Sequence, residues 1–284
     1  MLRLPTRVFA FVMMVGCGRP PSDGHVSPAA ADPPAANTAG KLATGSPTTS
    51  RVDAPARRPQ KTRSGVAAGL HYYEVVTGGA DIDARLPMLV ALHGLGDRPE
   101  TFSSLLRAID LPARLIFPRA LDEYEGGGFS WFAQRARDPQ IAQLASGITR
   151  AAHAVAATVH DLLAQRSTRG RPVVTGFSQG GMVTFALATS HPELFSAAFP
   201  VGGWLPPPLW PEHLDDPRDY PPIVALHGDI DRAVALGPTQ AAISELRRLG
   251  FAAQLHVYPG IGHAIPPPMR HELLQLVGDA LRRT

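Results

Sequence analysis

One stretch constrains this chain more than any other: Pro172 to Leu187, reading Pro-Val-Val-Thr-Gly-Phe-Ser-Gln-Gly-Gly-Met-Val-Thr-Phe-Ala-Leu. Pro172 to Thr175 is a short apolar run with strand character, and Gly181 to Ala188 has helical character. Gly176-Phe177-Ser178-Gln179-Gly180 is then the turn that joins them, a G-x-S-x-G pattern in strand-turn-helix context. Such a turn crowds its own backbone, so its flanking positions need residues without a Cβ. Ser178 is lifted clear, with its hydroxyl exposed at the helix N-terminus. A Gly-rich connection that happens to hold a serine has the same five letters, so the pattern gains meaning only from partners elsewhere.

The rest of the body alternates strand with helix. Strand character is read over Leu70–Val76, Leu86–Leu92, Arg114–Pro118, Ala197–Val201, Ile223–Leu226 and Ala252–Tyr258. Helical spacing is read over Pro99–Ile109, Gln140–Gln165, Pro238–Leu249 and Met269–Arg282, and a Pro-rich excursion runs from Leu205 to Pro222. Near-continuous apolar strands between helices predict a single α/β domain with a mostly parallel sheet covered on both faces. In such sheets chemistry belongs to the loops beyond the carboxyl ends of the strands.

A serine hydroxyl needs a base, and the base a carboxylate to orient it. In this architecture they follow in the chain order Ser, Asp or Glu, His. After the Ile223 strand comes His227-Gly228-Asp229-Ile230-Asp231-Arg232-Ala233-Val234, and after the next strand Pro259-Gly260-Ile261-Gly262-His263. His263, between a strand and a helix, is placed to reach Ser178. Asp229 and Asp231 both qualify as the carboxylate.

Four motifs, Leu92-His93-Gly94-Leu95-Gly96-Asp97, Gly176 to Gly181, His227 to Val234 and Gly262-His263, together resemble the α/β-hydrolase superfamily. Within it they resemble the carboxylesterase/phospholipase family that includes acyl-protein thioesterases. The resemblance implies an α/β-hydrolase fold with Ser178, His263 and Asp231 as catalytic triad, which leaves Asp229 as a structural loop acid accepting backbone N–H groups. It also implies an oxyanion hole made by the backbone N–H groups of Gln179 and Leu95. Gly126-Gly127-Gly128-Phe129-Ser130-Trp131-Phe132 and Gly202-Gly203-Trp204-Leu205-Pro206 resemble its aromatic loops, so Trp131 and Trp204 are expected to shape the acyl pocket, with a place in the core under those loops as the alternative. Ala235, where the family usually has Pro, and Ala264, where it often has a polar residue, are departures that touch no catalytic atom. The expected activity is cleavage of carboxylic ester or thioester bonds in a small-molecule or acyl substrate, with no metal or organic cofactor. Polyester depolymerases and feruloyl-type esterases share the triad, and a non-catalytic binding module on the same scaffold is the alternative of another class.

Charge and cysteine separate the body from what precedes it. Residues 1–65 hold nine Arg and Lys against three Asp and Glu, leaving 18 against 21 for residues 66–284. The body is mildly acidic, which gives no support to nucleic-acid binding. Cys17 is the only cysteine, so an intrachain disulfide is excluded. Arg3 and Arg7, the apolar run Val8–Val15 and Gly16-Cys17 resemble a bacterial lipoprotein signal peptide (residues 1–16) with Cys17 as the lipidated residue; Met14 departs from the usual Leu. An ordinary secretory signal is the alternative. Eight apolar residues are too short for about 30 Å of hydrocarbon. Residues 17–65, rich in Pro, Ala, Ser and Thr, are expected to be a disordered tether reaching roughly 40 Å, and residues 66–284 the catalytic domain. The membrane contact expected is the N-terminal lipid alone, at the periplasmic or outer-membrane face of a bacterial envelope.

Overall fold

The computed structural model describes residues 60–284 apart from residue 215. The expected signal peptide, Cys17 and nearly all of the tether lie outside the described residues. In chain order the elements are β1 (Lys61–Ala67), β2 (Leu70–Val76), β3 (Met88–Leu92), α1 (Pro99–Leu106), β4 (Arg114–Pro118), β5 (Asp122–Glu123) and β6 (Phe129–Ser130). They continue with α2 (Ile141–Gln165), β7 (Val173–Phe177), α3 (Gln179–Ser190), β8 (Ala197–Val201), β9 (Ile223–Gly228), α4 (Leu236–Arg248), β10 (Ala253–Tyr258) and α5 (Pro267–Arg283).

Eight strands form one sheet in the order β1-β2-β4-β3-β7-β8-β9-β10. From β4 to β10 the pairs are parallel, and β2 and β1 add an antiparallel edge. Side chains alternate across the sheet, so β3 feeds two cores. Met88, Val90 and Leu92 join a core with α2, α3 and α4, while Leu89 and Ala91 join one with α1 and α5. A strand buried on both faces has little room for polar side chains, which is why β3 and β8 read as unbroken apolar runs, while β4 carries Arg114 at its start and is apolar from Leu115 on. The expected α/β-hydrolase fold is the fold observed.

Two boundaries differ from expectation. The tether was expected to reach residue 65, yet Lys61 to Gly65 lie in β1, paired with Val76 to Tyr72 of β2. The strand is mostly exposed and polar, so its order comes from the ladder and from Arg63 rather than from apolar burial. The helix after the serine begins at Gln179 instead of Gly181, and β7 runs on to Phe177, so Ser178 alone makes the turn. Gly180 and Gly181 have poor helix propensity, but close packing overrides it. The Pro-rich excursion forms short 3₁₀ turns at Pro207–Leu209 and Pro217–Asp219, and none of its described residues lines the cleft beside Ser178.

The antiparallel edge is fastened by one buried carboxylate. Glu74 is fully buried and accepts hydrogen bonds from Arg63 on β1 at 3.1 Å, from the fully buried Arg114 on β4, and from Arg166 after α2 at 3.5 Å. Arg114 also donates to the Ile82 and Ala84 carbonyls, both at 3.0 Å. Removing one member leaves buried charge without a partner, at a cost of about 3–5 kcal/mol. Glu74→Ala is therefore expected to lower unfolding stability in urea by that amount. The part-exposed Arg63→Ala should cost about 1 kcal/mol, and equal losses would contradict this account.

Candidate active site

Ser178 has φ 56° and ψ −116°, a backbone conformation that non-glycine residues rarely hold. Such a residue costs about 1–3 kcal/mol, so the surroundings must impose it. Its N–H donates to the Val201 carbonyl of β8 at 2.9 Å, and its carbonyl accepts from Met182 of α3 at 3.0 Å. The glycines do the rest. A Cβ on Gly180 would lie 2.2 Å from the Leu92 carbonyl oxygen, and one on Gly176 would lie 2.4 Å from the Gly180 carbonyl oxygen. Strand and helix thus cross too closely for any side chain, and the serine between them is forced outward.

Two other loops converge on it. His263, after β10, lies with Nε2 2.8 Å from Ser178 Oγ and Nδ1 2.6 Å from Asp231 Oδ2. A buried carboxylate oxygen accepts, so Nδ1 carries the proton and the Nε2 lone pair faces the hydroxyl. Phe177 stacks on the imidazole with centroids 4.7 Å apart. Asp231, after β9, has a side chain only 1% exposed, and its Oδ1 accepts from the Ala233 and Val234 N–H groups, both at 2.8 Å. Both carboxylate oxygens are therefore satisfied. Asp229, the other carboxylate weighed from the sequence, instead accepts the Gly260 N–H at 2.7 Å, tying the β9 loop to the β10 loop.

Leu95 and Gln179 line the same cleft as Ser178. No acceptor among the described residues takes either backbone N–H. Two buried histidines that sequence reasoning did not single out as functional shape this surround. His93 Nε2 accepts the Ala120 N–H at 3.2 Å, so its proton sits on Nδ1 and is donated to the Gly94 carbonyl at 2.7 Å. That carbonyl and the Leu95 N–H belong to one planar peptide, so fixing one aims the other. His227 donates from Nε2 to the Val234 carbonyl at 2.9 Å, and its Nδ1 lies 3.1 Å from the Thr239 hydroxyl. It closes the turn that supplies Asp231 with its backbone donors. The signal for both was a histidine directly before a glycine at a strand end.

The pocket assignments need correction. Trp131 is fully buried, and its indole N–H donates to the His93 carbonyl at 2.8 Å, so it packs beneath the Gly94 turn and does not line the cleft. Trp204 is 7% exposed, belongs to the core beside Leu205, and is likewise absent from the lining. The Gly-rich flanks that suggested exposed loops instead let both rings sink inward. Gln179 holds the first loop in place: its side-chain oxygen accepts the Trp131 N–H at 3.0 Å, and its nitrogen donates to the Phe132 carbonyl at 2.8 Å. The cleft itself, about 510 Å³, is walled mainly by Leu95, Ala136, Phe177, Met182, Ala233 and Val234. Among the described residues no group of three or more His, Cys, Asp or Glu is arranged to hold a metal ion, and no helix is long and apolar enough to cross a membrane.

A parallel sheet with a serine elbow at one strand end, and histidine and aspartate loops at two others, defines the α/β-hydrolase class of protein. This chain belongs to the phospholipase/carboxylesterase family, which it matches over residues 73–277. It is 26% identical over 212 residues to acyl-protein thioesterase 1 of Eremothecium gossypii, covering 68% of this chain and 84% of that one. It is 27% identical over 191 residues to a probable carboxylesterase, SOBER1-like, of Arabidopsis thaliana, covering 61% and 71%. To a probable carboxylesterase of Oryza sativa subsp. japonica it is 29% identical over 138 residues, spanning about half (52%) of that relative. Among solved structures, esterase PE8 superposes with a TM-score of 0.60 at 23% identity, covering 78% of this chain and 99% of that chain. Acyl-protein thioesterase 2 of Zea mays gives 0.57 at 24% identity, covering 78% and 99%. These two share the fold.

Burial holds the pKa of both His93 and His227 below the ordinary 6.5, because a charged ring is disfavoured away from water. As pH falls through about 6.5 the unfolded chain takes up protons at these rings and the folded chain does not. Their contribution to stability is complete above that pH and declines below it. Urea midpoints are expected to drop between about pH 7 and pH 5, and His227→Gln to flatten the drop; an unchanged slope would contradict a neutral His227.

Proposed function

We propose that this protein is a serine esterase acting on carboxylic esters or thioesters. The observation that carries the reading is the continuous hydrogen-bonded line from Ser178 Oγ through His263 to Asp231, at 2.8 and 2.6 Å. In this reading Ser178 Oγ attacks the carbonyl carbon while His263 Nε2 takes its proton. Asp231 holds the Nδ1–H and stabilises the imidazolium that forms. The Leu95 and Gln179 N–H groups receive the developing oxyanion, and being fixed beforehand they need no reorganisation as charge appears. His263 then returns the proton to the leaving oxygen or sulfur, leaving an acyl-Ser178 ester. Water, deprotonated by the same imidazole, releases the acid. The mainly apolar cleft wall suits an acyl chain, and a thioester substrate draws support from the thioesterase among the relatives.

Ser178→Ala removes the nucleophile and is expected to lower kcat for p-nitrophenyl butanoate by about 10⁴- to 10⁶-fold, as in other triads. Turnover within tenfold of the parent would refute the assignment.

The N-terminal pattern supports a second element of this proposal: export to a bacterial envelope with lipid attached at Cys17. A single acyl chain binds membranes only marginally, so firm anchoring at one cysteine needs several. In a bacterial host, Cys17→Ala is expected to yield enzyme of parental specific activity that moves from the detergent phase to the aqueous phase. Unchanged partitioning would mean that Cys17 carries no anchor.

A further inference from the structure

The cleft beside Ser178 is apolar over most of its wall, yet Arg135 and Arg137 stand on one side of it. Their placement follows from the local chain. Gln179 grips the preceding residues through the Phe132 and Gln134 carbonyls at 2.8 and 3.4 Å, and the Asp138 N–H closes a turn onto the Arg135 carbonyl at 2.9 Å. Ala136 packs inward against the core, so the residues on either side of it stay exposed at the rim. The segment bearing the two arginines is thus tied to the residue whose backbone N–H is proposed to receive the oxyanion.

Neither guanidinium is neutralised by the protein. Arg135 donates to the Tyr124 hydroxyl at 3.1 Å, an uncharged partner, and Arg137 has no acceptor among the described residues. Asp97 is the one acid of the lining, and it forms no ion pair with either arginine; its Oδ1 accepts the Arg98 N–H at 2.7 Å. Two cations against one anion leave the rim positive, and apolar walls focus that field into the cleft. A guanidinium presents a planar fork matched to a carboxylate or phosphate.

We infer that the substrate carries an anionic group, a carboxylate or phosphate, close to its scissile ester, and that Arg135 and Arg137 determine this specificity by binding it. The inference rests on the esterase reading of the same site. The negative group stays at the wet rim, where its hydration is largely kept, while the apolar part fills the cleft.

The test compares kcat/KM for three esters on the full chain. They are neutral p-nitrophenyl butanoate, p-nitrophenyl hemiglutarate with its carboxylate on the acyl part, and 3-carboxy-4-nitrophenyl butanoate with it on the alcohol part. In the Arg135→Gln/Arg137→Gln variant the anionic-to-neutral ratio is expected to fall about tenfold for one of the two anionic esters. That is the scale of two partly exposed charge-assisted contacts. The fall should come mainly through KM, and in the parent the advantage should shrink as salt is raised. The Arg135→Lys/Arg137→Lys variant, keeping the charge without the fork, should fall between. Competitive inhibition by butyl phosphate against butanoate tells phosphate recognition from carboxylate recognition. An unchanged ratio for both anionic esters would overturn the inference while leaving Ser178-dependent turnover of the neutral ester intact. Failure of the parent to cleave any ester would remove the esterase reading and this inference together.

Discussion

The contact on which the site depends is that of backbone against backbone where α3 starts. Gly180 sits against the Leu92 carbonyl so closely that a Cβ would lie 2.2 Å from it. This brings the N-terminus of α3 up to the end of β3, and two separate consequences follow. Ser178 has no room for an ordinary conformation and is held at φ 56° with its hydroxyl outward. The turn that leaves β3, Gly94 to Gly96, comes to lie beside the first residue of the helix, so Leu95 and Gln179 share one cleft with the serine. Strain of about 1–3 kcal/mol at one residue is small against the two-sided burial of the strands around it, which is why the sheet can sustain it.

Around that contact the support is polar and fully used. Gln179 gives its backbone to the cleft and its side chain to the Trp131–Gln134 segment. His93 holds the Gly94 carbonyl from beneath and is itself fixed by Ala120. Asp231 spends one oxygen on His263 and the other on two backbone N–H groups, within a turn that His227 closes. Each group near Ser178 is thus set by a neighbour whose own partners are spent. Such satisfied buried networks are rigid, and rigidity is what preorganised catalysis requires.

Much of this was legible in the sequence, for physical reasons. β3 and β8 are buried on both faces and carry no polar letters, so they announced themselves. The three loops stood at strand ends, in the chain order this architecture uses, and the structure brings their Ser178, Asp231 and His263 together. What escaped notice depends on partners distant in the chain. β1 is polar and is ordered by its ladder to β2 and by Arg63 reaching Glu74. Glu74 itself looks like a solvent-facing charge until Arg114, forty residues on, buries it. Trp131 and Trp204 sat among glycines, where the letters alone did not decide between pocket and core; the indole N–H of Trp131 finds the His93 carbonyl and both rings join the core. The proton positions on His93 and His227 follow from acceptors and donors that sequence spacing does not reveal.

The central claim is that Ser178 is activated by its hydrogen bond to His263. It is tested most directly by reaction with a fluorophosphonate, followed by peptide mass spectrometry. The account predicts a single phosphonylated site, at Ser178, with labelling slowed by several orders of magnitude in His263→Ala although the serine is still present. Absence of label in the parent, label on another residue, or labelling of His263→Ala at the parental rate would contradict it.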